Sequence, residues 1–376
     1  MISRRELLKR AGAAGAGVAM LPELYAAETE LASGKAEVSV EVKRLMLRHT
    51  WTTHMSSSAF RDTVHVRYTR DGVTGFGEGA PIIRYKETAE LARQALLAVS
   101  AELAAGDPRR FDKLLAQVRR SLGDGQHAAM AAVDIALCDW MGKKLGIPLY
   151  QYFGLDPADA PVTTFSIGID TPEITRQKTR EAEEFPVLKI KVGLQNDEET
   201  IEAVRSVTKK PLRVDANEGW TDKEEAIRKI NWLESQGVEL IEQPMPAHMF
   251  EETRYVRAHV HIPIIADEAC TDAALIPKLC EAYDGINVKL DKSGGVMEAY
   301  RWIKFARAMK MRVMLGCMVS SSCTVTAAAH LAPLVDYPDL DGNLLISNDP
   351  YEGVKVRQGK LILPSGPGLG LKTLAV

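Results

Sequence analysis

The chain has 376 residues, 46% of them hydrophobic, enough to bury a large core in two domains or in one barrel with an addition. Its 47 basic and 50 acidic residues are interspersed without long runs of one sign, which gives no electrostatic reason to propose nucleic acid or an anionic membrane as a partner. Five cysteines, Cys138, Cys270, Cys280, Cys317 and Cys323, are odd in number and lack C-x-x-C spacing. That argues against a disulfide framework or a thiolate zinc site and leaves them as buried small hydrophobes.

Residues 1–27 read as a targeting segment. Ser3-Arg4-Arg5-Glu6-Leu7-Leu8-Lys9 supplies a basic start, residues 11–21 a short apolar run, and Ala26-Ala27 small residues suited to cleavage. The paired arginines resemble a twin-arginine export signal, which predicts a periplasmic or otherwise exported product that leaves the membrane once the signal is removed.

Residues 28–155 form a separate α+β unit by pattern. From 36 to 79 the residues favour strands, with Val38, Val40 and Val42 alternating and Asp71-Gly72 marking a hairpin turn before Val73. Gly75-Phe76-Gly77-Glu78-Gly79 has no surrounding β-α-β unit and reads as the end of that hairpin rather than a nucleotide loop. Helical periodicity follows from 87 to about 145, in three segments broken near Gly106-Asp107-Pro108 and Gly123-Asp124-Gly125.

Between 160 and 349 short β-rich runs alternate with helical stretches, including 222–236, 273–281 and 296–309. Repeated β-then-α units imply a parallel sheet with right-handed crossovers, and even spacing favours closure as a TIM-type barrel. Strand ends fall near Ser166, Lys191, Asp215, Glu242, Asp267, Lys289, Gly316 and Asp339. The fold expected is therefore α/β, a (β/α) barrel with an N-terminal α+β capping domain. Residues 350–376 are expected to complete that cap, through a strand pair around Val354-Lys355-Val356 and Leu361-Ile362-Leu363.

Lys191, Asp215, Glu242, Asp267 and Lys289 recur every 22 to 27 residues or so, about the length of one strand, loop and helix. At one barrel mouth, three adjacent carboxylates would repel strongly without a cation, and an all-oxygen set suits Mg²⁺. Lys191 and Lys289 flank the trio from opposite sides, the arrangement needed to take a proton from one face of a carbon and return it to the other. Proton abstraction beside a carboxylate becomes feasible only where a metal stabilises the enolate charge. Lys189 shares a strand face with Lys191 and is a cationic neighbour able to lower its pKa.

Leu188-Lys189-Ile190-Lys191, Val214-Asp215-Ala216-Asn217, Ile241-Glu242-Gln243-Pro244, Ala266-Asp267-Glu268 and Val288-Lys289-Leu290-Asp291-Lys292-Ser293-Gly294-Gly295 together resemble the enolase superfamily, muconate-lactonizing subgroup. Residues 131–148 resemble the signature helix of that family. Sites of this superfamily set a Lys or His base beside one or two Mg²⁺ ions, which agrees with the residues present. The resemblance implies one Mg²⁺ per subunit on Asp215, Glu242 and Asp267, with Lys191 and Lys289 as the acid/base pair.

Asp339-Leu340-Asp341 narrows the resemblance to the dipeptide epimerase branch, where an Asp-x-Asp after the eighth strand binds the substrate's α-ammonium. A buried ammonium needs an acidic partner. Lys189, Ser166, Cys317 and Arg48 join Asp339 and Asp341 as expected substrate contacts, Arg48 within a loop at 48–55 that closes over the mouth and pairs with an acidic group. The chain departs from many relatives after the seventh strand, where a Glu is replaced in Gly316-Cys317-Met318-Val319-Ser320-Ser321-Ser322. The function implied is inversion of the C-terminal residue of a dipeptide, with Ala-Glu the leading candidate. The rivals are a cycloisomerase or N-acyl amino acid racemase with the same lysines and metal, and an exported dipeptide-binding protein without turnover. Assembly as a homo-oligomer stays open.

Overall fold

In the computed structural model, which describes residues 34–374, a three-stranded antiparallel sheet with helices caps an eight-stranded parallel barrel. The export segment expected at 1–27 lies outside the described residues.

The cap begins with β1 (Glu37–Thr52), β2 (Ser57–Arg70) and β3 (Val73–Gly79). Asp71 and Gly72 both have positive φ, 52° and 73°, as a two-residue hairpin turn requires. Three helices follow, α1 (Ala89–Ala105), α2 (Phe111–Leu122) and α3 (His127–Leu145). The glycine run of β3 serves packing. A Cβ on Gly75, Gly77 or Gly79 would strike the backbone carbonyls of Ala136, Ala132 and Ala128. Four residues of helix advance about 6 Å and two residues of strand about 6.6 Å, so each glycine meets the next turn of α3.

The barrel strands are β4 (Phe165–Ile167), β5 (Leu188–Lys191), β6 (Leu212–Asp215), β7 (Val238–Glu242), β8 (Ile264–Ala266), β9 (Gly285–Lys289), β10 (Arg312–Gly316) and β11 (Tyr337–Asp339), each beside the next in chain order. The ring closes from β11 to the start of β4, where Thr164 N donates to Pro338 O at 3.4 Å and Leu340 N to Thr163 Oγ1 at 2.8 Å. Outward residues such as Ile190, Val214, Ile241, Val288 and Leu315 join the large apolar core that includes the helices. Leu240, Ile265 and Met314 form a separate cluster with Tyr337 inside the ring. Two residues further along, the same inward parity reaches Glu242, Asp267, Gly316 and Asp339. The helical stretch expected at 273–281 is shorter than its pattern, a 3₁₀ turn at Ala273–Leu275 followed by Ile276–Leu279. Pro277 cannot donate a hydrogen bond and suits the first turn of the α piece.

The C-terminal segment divides its contacts. The hairpin Lys355–Arg357 with Lys360–Ile362 is anchored at the barrel, where Thr163 N donates to Gly359 O at 2.8 Å and a Cβ on Gly359 would strike Pro186. The contact with the cap is made on either side of it. Tyr351 stacks on His65, and Leu369 N donates to Asp139 Oδ1 at 2.8 Å.

Buried carboxyls bind cap to barrel. Glu78 accepts from Ser321 N at 3.0 Å and Ser321 Oγ at 2.6 Å; Asp134 accepts from Val296 N at 2.5 Å; Asp291 accepts from Ala80 N at 2.7 Å. Burial, with Glu78 and Glu87 adding to it, pushes the Asp291 carboxyl up to about 8. Unfolded, an aspartate ionises near pH ~3.9. A folded pKa raised in this way stabilises the protein below the unfolded value, and that contribution is lost as pH rises through the folded one. Asp291→Asn keeps an acceptor for Ala80 N and cannot ionise. Chemical denaturation from about pH 5 to about pH 8 should show wild-type stability declining more steeply than that of the variant, by on the order of 4 kcal/mol. Equal slopes would show that Asp291 ionises freely in the fold.

Candidate active site

At the C-terminal mouth of the barrel, inward positions on consecutive strands carry Lys191 (β5), Asp215 (β6), Glu242 (β7), Asp267 (one residue beyond β8) and Lys289 (β9). Parallel register aligns Lys191 with Asp215 and Asp215 with Glu242. Strands β5 and β9 are four apart in a ring of eight, so the two lysines stand across the mouth with the acids on the arc between them. Oxygens of Asp215, Glu242 and Asp267 all lie within 4.8 Å of one another, and all three residues are buried.

The lysines offset this clustered charge. Lys191 Nζ is 2.5 Å from Asp215 Oδ2 and Lys289 Nζ 2.6 Å from Asp267 Oδ2. Lys292, in the short helical turn Leu290–Ser293 that follows β9, adds a contact of 2.5 Å to Asp267 Oδ1. Burial would raise the Asp267 carboxyl, but Lys289 and Lys292 outweigh it and hold the group well below the usual carboxylate range. Lys189, 2% exposed, sits beneath the acids, with Nζ 2.6 Å from Glu242 Oε2, 2.7 Å from Asp339 Oδ2 and 3.3 Å from Asp215 Oδ2. Burial lowers the tendency of Lys189 to hold its proton, but Asp339, Glu242 and Asp215 reverse that and leave its pKa well above normal.

A cavity of about 330 Å³ lies over these residues, between the mouth and the cap. Its lining joins Lys191, Lys289, Asp341 and Cys317 from the barrel to Trp51, Met55, Arg61, Ile82 and Tyr85 from the cap. On one side Asp339 accepts from Thr164 Oγ1 at 2.5 Å, and Asp341 Oδ2 accepts from Ser166 N at 2.5 Å. Burial would raise both. Lys189 and Thr164 bring Asp339 down to about 2, whereas Asp341, beside charged Asp339, rises to about 7. Cys317 braces this turn, its Sγ accepting from Gly342 N at 3.3 Å and donating to Asp339 O at 3.4 Å.

The sequence matches the family "Enolase C-terminal domain-like" over residues 173–374 and "Mandelate racemase / muconate lactonizing enzyme, N-terminal domain" over 35–154. The chain belongs to the enolase superfamily. It is 41% identical to an L-Ala-D/L-Glu epimerase of Bacteroides thetaiotaomicron, with 99% of each chain covered. It is 40% identical to an L-Ala-D/L-amino acid epimerase of Pedosphaera parvula, over 88% of this chain and 97% of that one. A dipeptide epimerase from Cytophaga hutchinsonii, solved with Mg and the dipeptide D-Ala-L-Val, superimposes with a TM-score of 0.85 at 27% identity, covering 91% of this chain and 96% of that one.

Within this enolase-superfamily site, the donor set fits Mg²⁺. It is all carboxylate oxygen, and Glu242 Oε2 is buried without an aligned hydrogen-bond donor, although Lys189 is within ion-pair distance. Burial and Asp215 raise the Glu242 carboxyl to about 7, and a divalent cation beside it would favour the ionised form in neutral solution. The residues that would hold the ion are Asp215, Glu242 and Asp267.

The structure gives roles to residues that the sequence motifs left without one. Asn287 Nδ2 donates to Glu242 Oε1 at 2.7 Å while its Oδ1 accepts from Gly316 N at 2.8 Å, which fixes the glutamate's rotation. Asn287 lies two residues before Lys289, so strand parity already placed it inside. Gln243, at φ 36°, turns its amide back to accept from Asp267 N at 2.9 Å and Ala269 N at 3.1 Å. A left-handed glutamine has a strain cost of roughly 1–3 kcal/mol, retained here because it orients the third carboxylate. Arg48 is placed differently from its expected role. It lies within β1, donates to Leu344 O at 3.2 Å, and lines a second cavity of about 200 Å³ with His49, Lys178 and Glu181.

Thermal melting tests the metal site without turnover. Mg²⁺ added to chelator-treated protein at about 100 times its Kd should raise Tm by roughly 2–4 °C, and Glu242→Gln should abolish most of that rise. An unchanged rise in the variant would place the ion elsewhere.

Proposed function

We propose that this chain is a Mg²⁺-dependent dipeptide epimerase that inverts the α-carbon of the substrate's C-terminal residue by moving one proton off and another on. The observation that carries the proposal is the placement of Lys191 and Lys289 across the mouth, on strands four apart, with three buried carboxylates between them. Mg²⁺ at those carboxylates supplies positive charge where the substrate carboxylate gains electron density as the α-proton leaves.

The chain's own groups define the rest. Lys191 Nζ and Lys289 Nζ face the α-carbon from opposite sides, so a proton removed by one lysine is replaced from the other side and configuration inverts. Each amine is already held by an aspartate, Lys191 by Asp215 and Lys289 by Asp267, so its position is set before substrate arrives. Asp341 offers the anionic partner for the dipeptide's ammonium. Asp339 has its oxygens committed to Lys189 and Thr164 and acts as the inner support of the same pocket. The cap supplies Trp51, Met55 and Tyr85 as walls that exclude water from the reacting carbon.

Relatives named dipeptide epimerases, three of them solved with Mg and a dipeptide bound, support this reading over a cycloisomerase. We further infer that residues 1–27 direct export, which would bring the enzyme to dipeptides released from peptidoglycan or from protein breakdown beyond the inner membrane. Replacing Arg4 and Arg5 by lysine should retain the protein in the cytoplasm on cell fractionation; continued export would remove the twin-arginine assignment.

Turnover in D₂O tests the chemistry. Wild-type protein with Mg²⁺ should place deuterium at the α-carbon of the C-terminal residue of its substrate dipeptide. Lys191→Ala and Lys289→Ala should each lose epimerisation by about 10²–10⁴-fold, yet each should still exchange the α-proton of one epimer, and the two variants should differ in which. Loss of both exchanges in both variants would contradict separate faces. Asp341→Asn keeps an acceptor for Ser166 N and removes the charge. It should raise KM for dipeptides roughly 10–100-fold while leaving any turnover of N-acylated amino acids unchanged.

A further inference from the structure

We propose that Arg61, on strand β2 of the cap, recognises a side-chain carboxylate of the substrate, which makes acidic dipeptides the substrate class of this enzyme. The inference rests on the dipeptide reading above and adds the feature that selects among dipeptides.

Strand parity brings Arg61 to the site. Arg61, Thr63 and His65 alternate along one face of β2, and two of them identify the direction of that face. Thr63 lines the cavity over the mouth, and His65 is buried against Glu78, which itself holds Ser321 of the barrel. Arg61 continues this row toward the turn at Thr53 and lines the same cavity, which its neighbour Asp62 also borders.

Among the described residues, every other lysine or arginine lining that cavity already has a carboxylate partner. Lys189 is 2.7 Å from Asp339, Lys191 2.5 Å from Asp215, Lys289 2.6 Å and Lys292 2.5 Å from Asp267, and Arg84 2.6 Å from Glu218. Arg61 has none. Its one hydrogen bond runs from Nη1 to the carbonyl of Phe60 at 3.1 Å. The adjacent acid is not available to it, because both oxygens of Asp62 are taken by Arg44 at 2.8 and 2.9 Å.

A half-buried guanidinium with most of its donors unused is costly to keep. Burial also lowers its pKa, although the group stays protonated at any physiological pH. The planar fork matches a carboxylate in two-point contact, and a side-chain carboxylate entering the cavity would be the missing partner. The other two charged ends of a dipeptide have their places elsewhere, the α-carboxylate with the metal ligands and the ammonium at Asp341. Only a third charge, on a side chain, is left for Arg61.

The experiment compares kcat/KM for L-Ala-L-Glu, L-Glu-L-Ala and L-Ala-L-Leu, read by α-deuterium incorporation, in wild type, Arg61→Met and Arg61→Lys. Wild type should prefer one of the acidic dipeptides. Arg61→Met should lower the ratio of acidic to neutral kcat/KM by about 10–100-fold, with Arg61→Lys in between, because a point charge remains while the fork is lost. Tm of Arg61→Met should be equal to or above that of wild type, since a half-buried charge without a carboxylate partner is removed. Which acidic dipeptide is affected identifies the residue that carries the recognised side chain. An unchanged ratio, or an equal loss on all three peptides with a lowered Tm, would overturn the assignment while leaving the epimerase reading intact. No exchange on any dipeptide in wild type would overturn both.

Discussion

Mutual repulsion among Asp215, Glu242 and Asp267 is the constraint around which the rest of this barrel is arranged. Three carboxylates with oxygens within 4.8 Å of one another cannot all ionise in a buried site unless positive charge surrounds them. The chain supplies that charge in two layers. Lys189 lies below, reaching Glu242, Asp215 and Asp339 at once, and these three acids favour its charged form. Lys191, Lys289 and Lys292 lie around the rim. A lysine that only neutralised charge could stand anywhere in this ring. Placing Lys191 and Lys289 on opposite strands is what would turn charge compensation into the proposed two-sided proton transfer, so that one electrostatic requirement would provide both a metal site and an acid/base pair.

Such a site needs rigid support, and amides provide much of it. Asn287 fixes Glu242, Gln243 fixes the backbone leading to Asp267, and Asn217 donates to Glu268 at 3.0 Å beside the metal ligands. None of these groups titrates, so they orient the carboxylates without altering the charge balance. The cap is attached by a different device, buried carboxyls that receive backbone N–H groups across the boundary, as Asp291 does from Ala80 and Asp134 from Val296. Ala80 also lines the cavity, so the clamp that joins the domains sets the height of the roof over the reacting carbon.

Much of this was legible in the sequence because barrel geometry is periodic. The expected strand ends at Lys191, Asp215, Glu242, Lys289, Gly316 and Asp339 coincide with the observed ones, since five of these six apolar runs stop where an inward charge must meet the mouth. Asn287 follows from the same period of two. Arg48 shows where such reading fails. The sequence suggests a loop over residues 48–55, but β1 continues to Thr52, and in a strand the facing of a side chain depends on a register that the partner strand sets. The pairing of Leu45 with Arg61 is a long-range contact with no local signature. Gln243 is hidden for another reason, because nothing in its identity signals a positive φ.

The division between barrel and cap also separates two kinds of selectivity. Every group proposed to move a proton lies on β5 to β9 or the loops just beyond, held by carboxylates and amides that do not depend on which side chain the substrate bears. The residues that would meet that side chain, Trp51, Met55, Arg61 and Tyr85, come from the cap, where sequence can change without disturbing the charge balance of the mouth. An arginine at the metal centre would shift every carboxylate around it. Across the cavity, on a strand whose neighbouring acid is already bound to Arg44, the same charge affects only what enters. On that reading, substrate preference could vary on the cap while Lys191 and Lys289 kept the same proposed reaction beneath it.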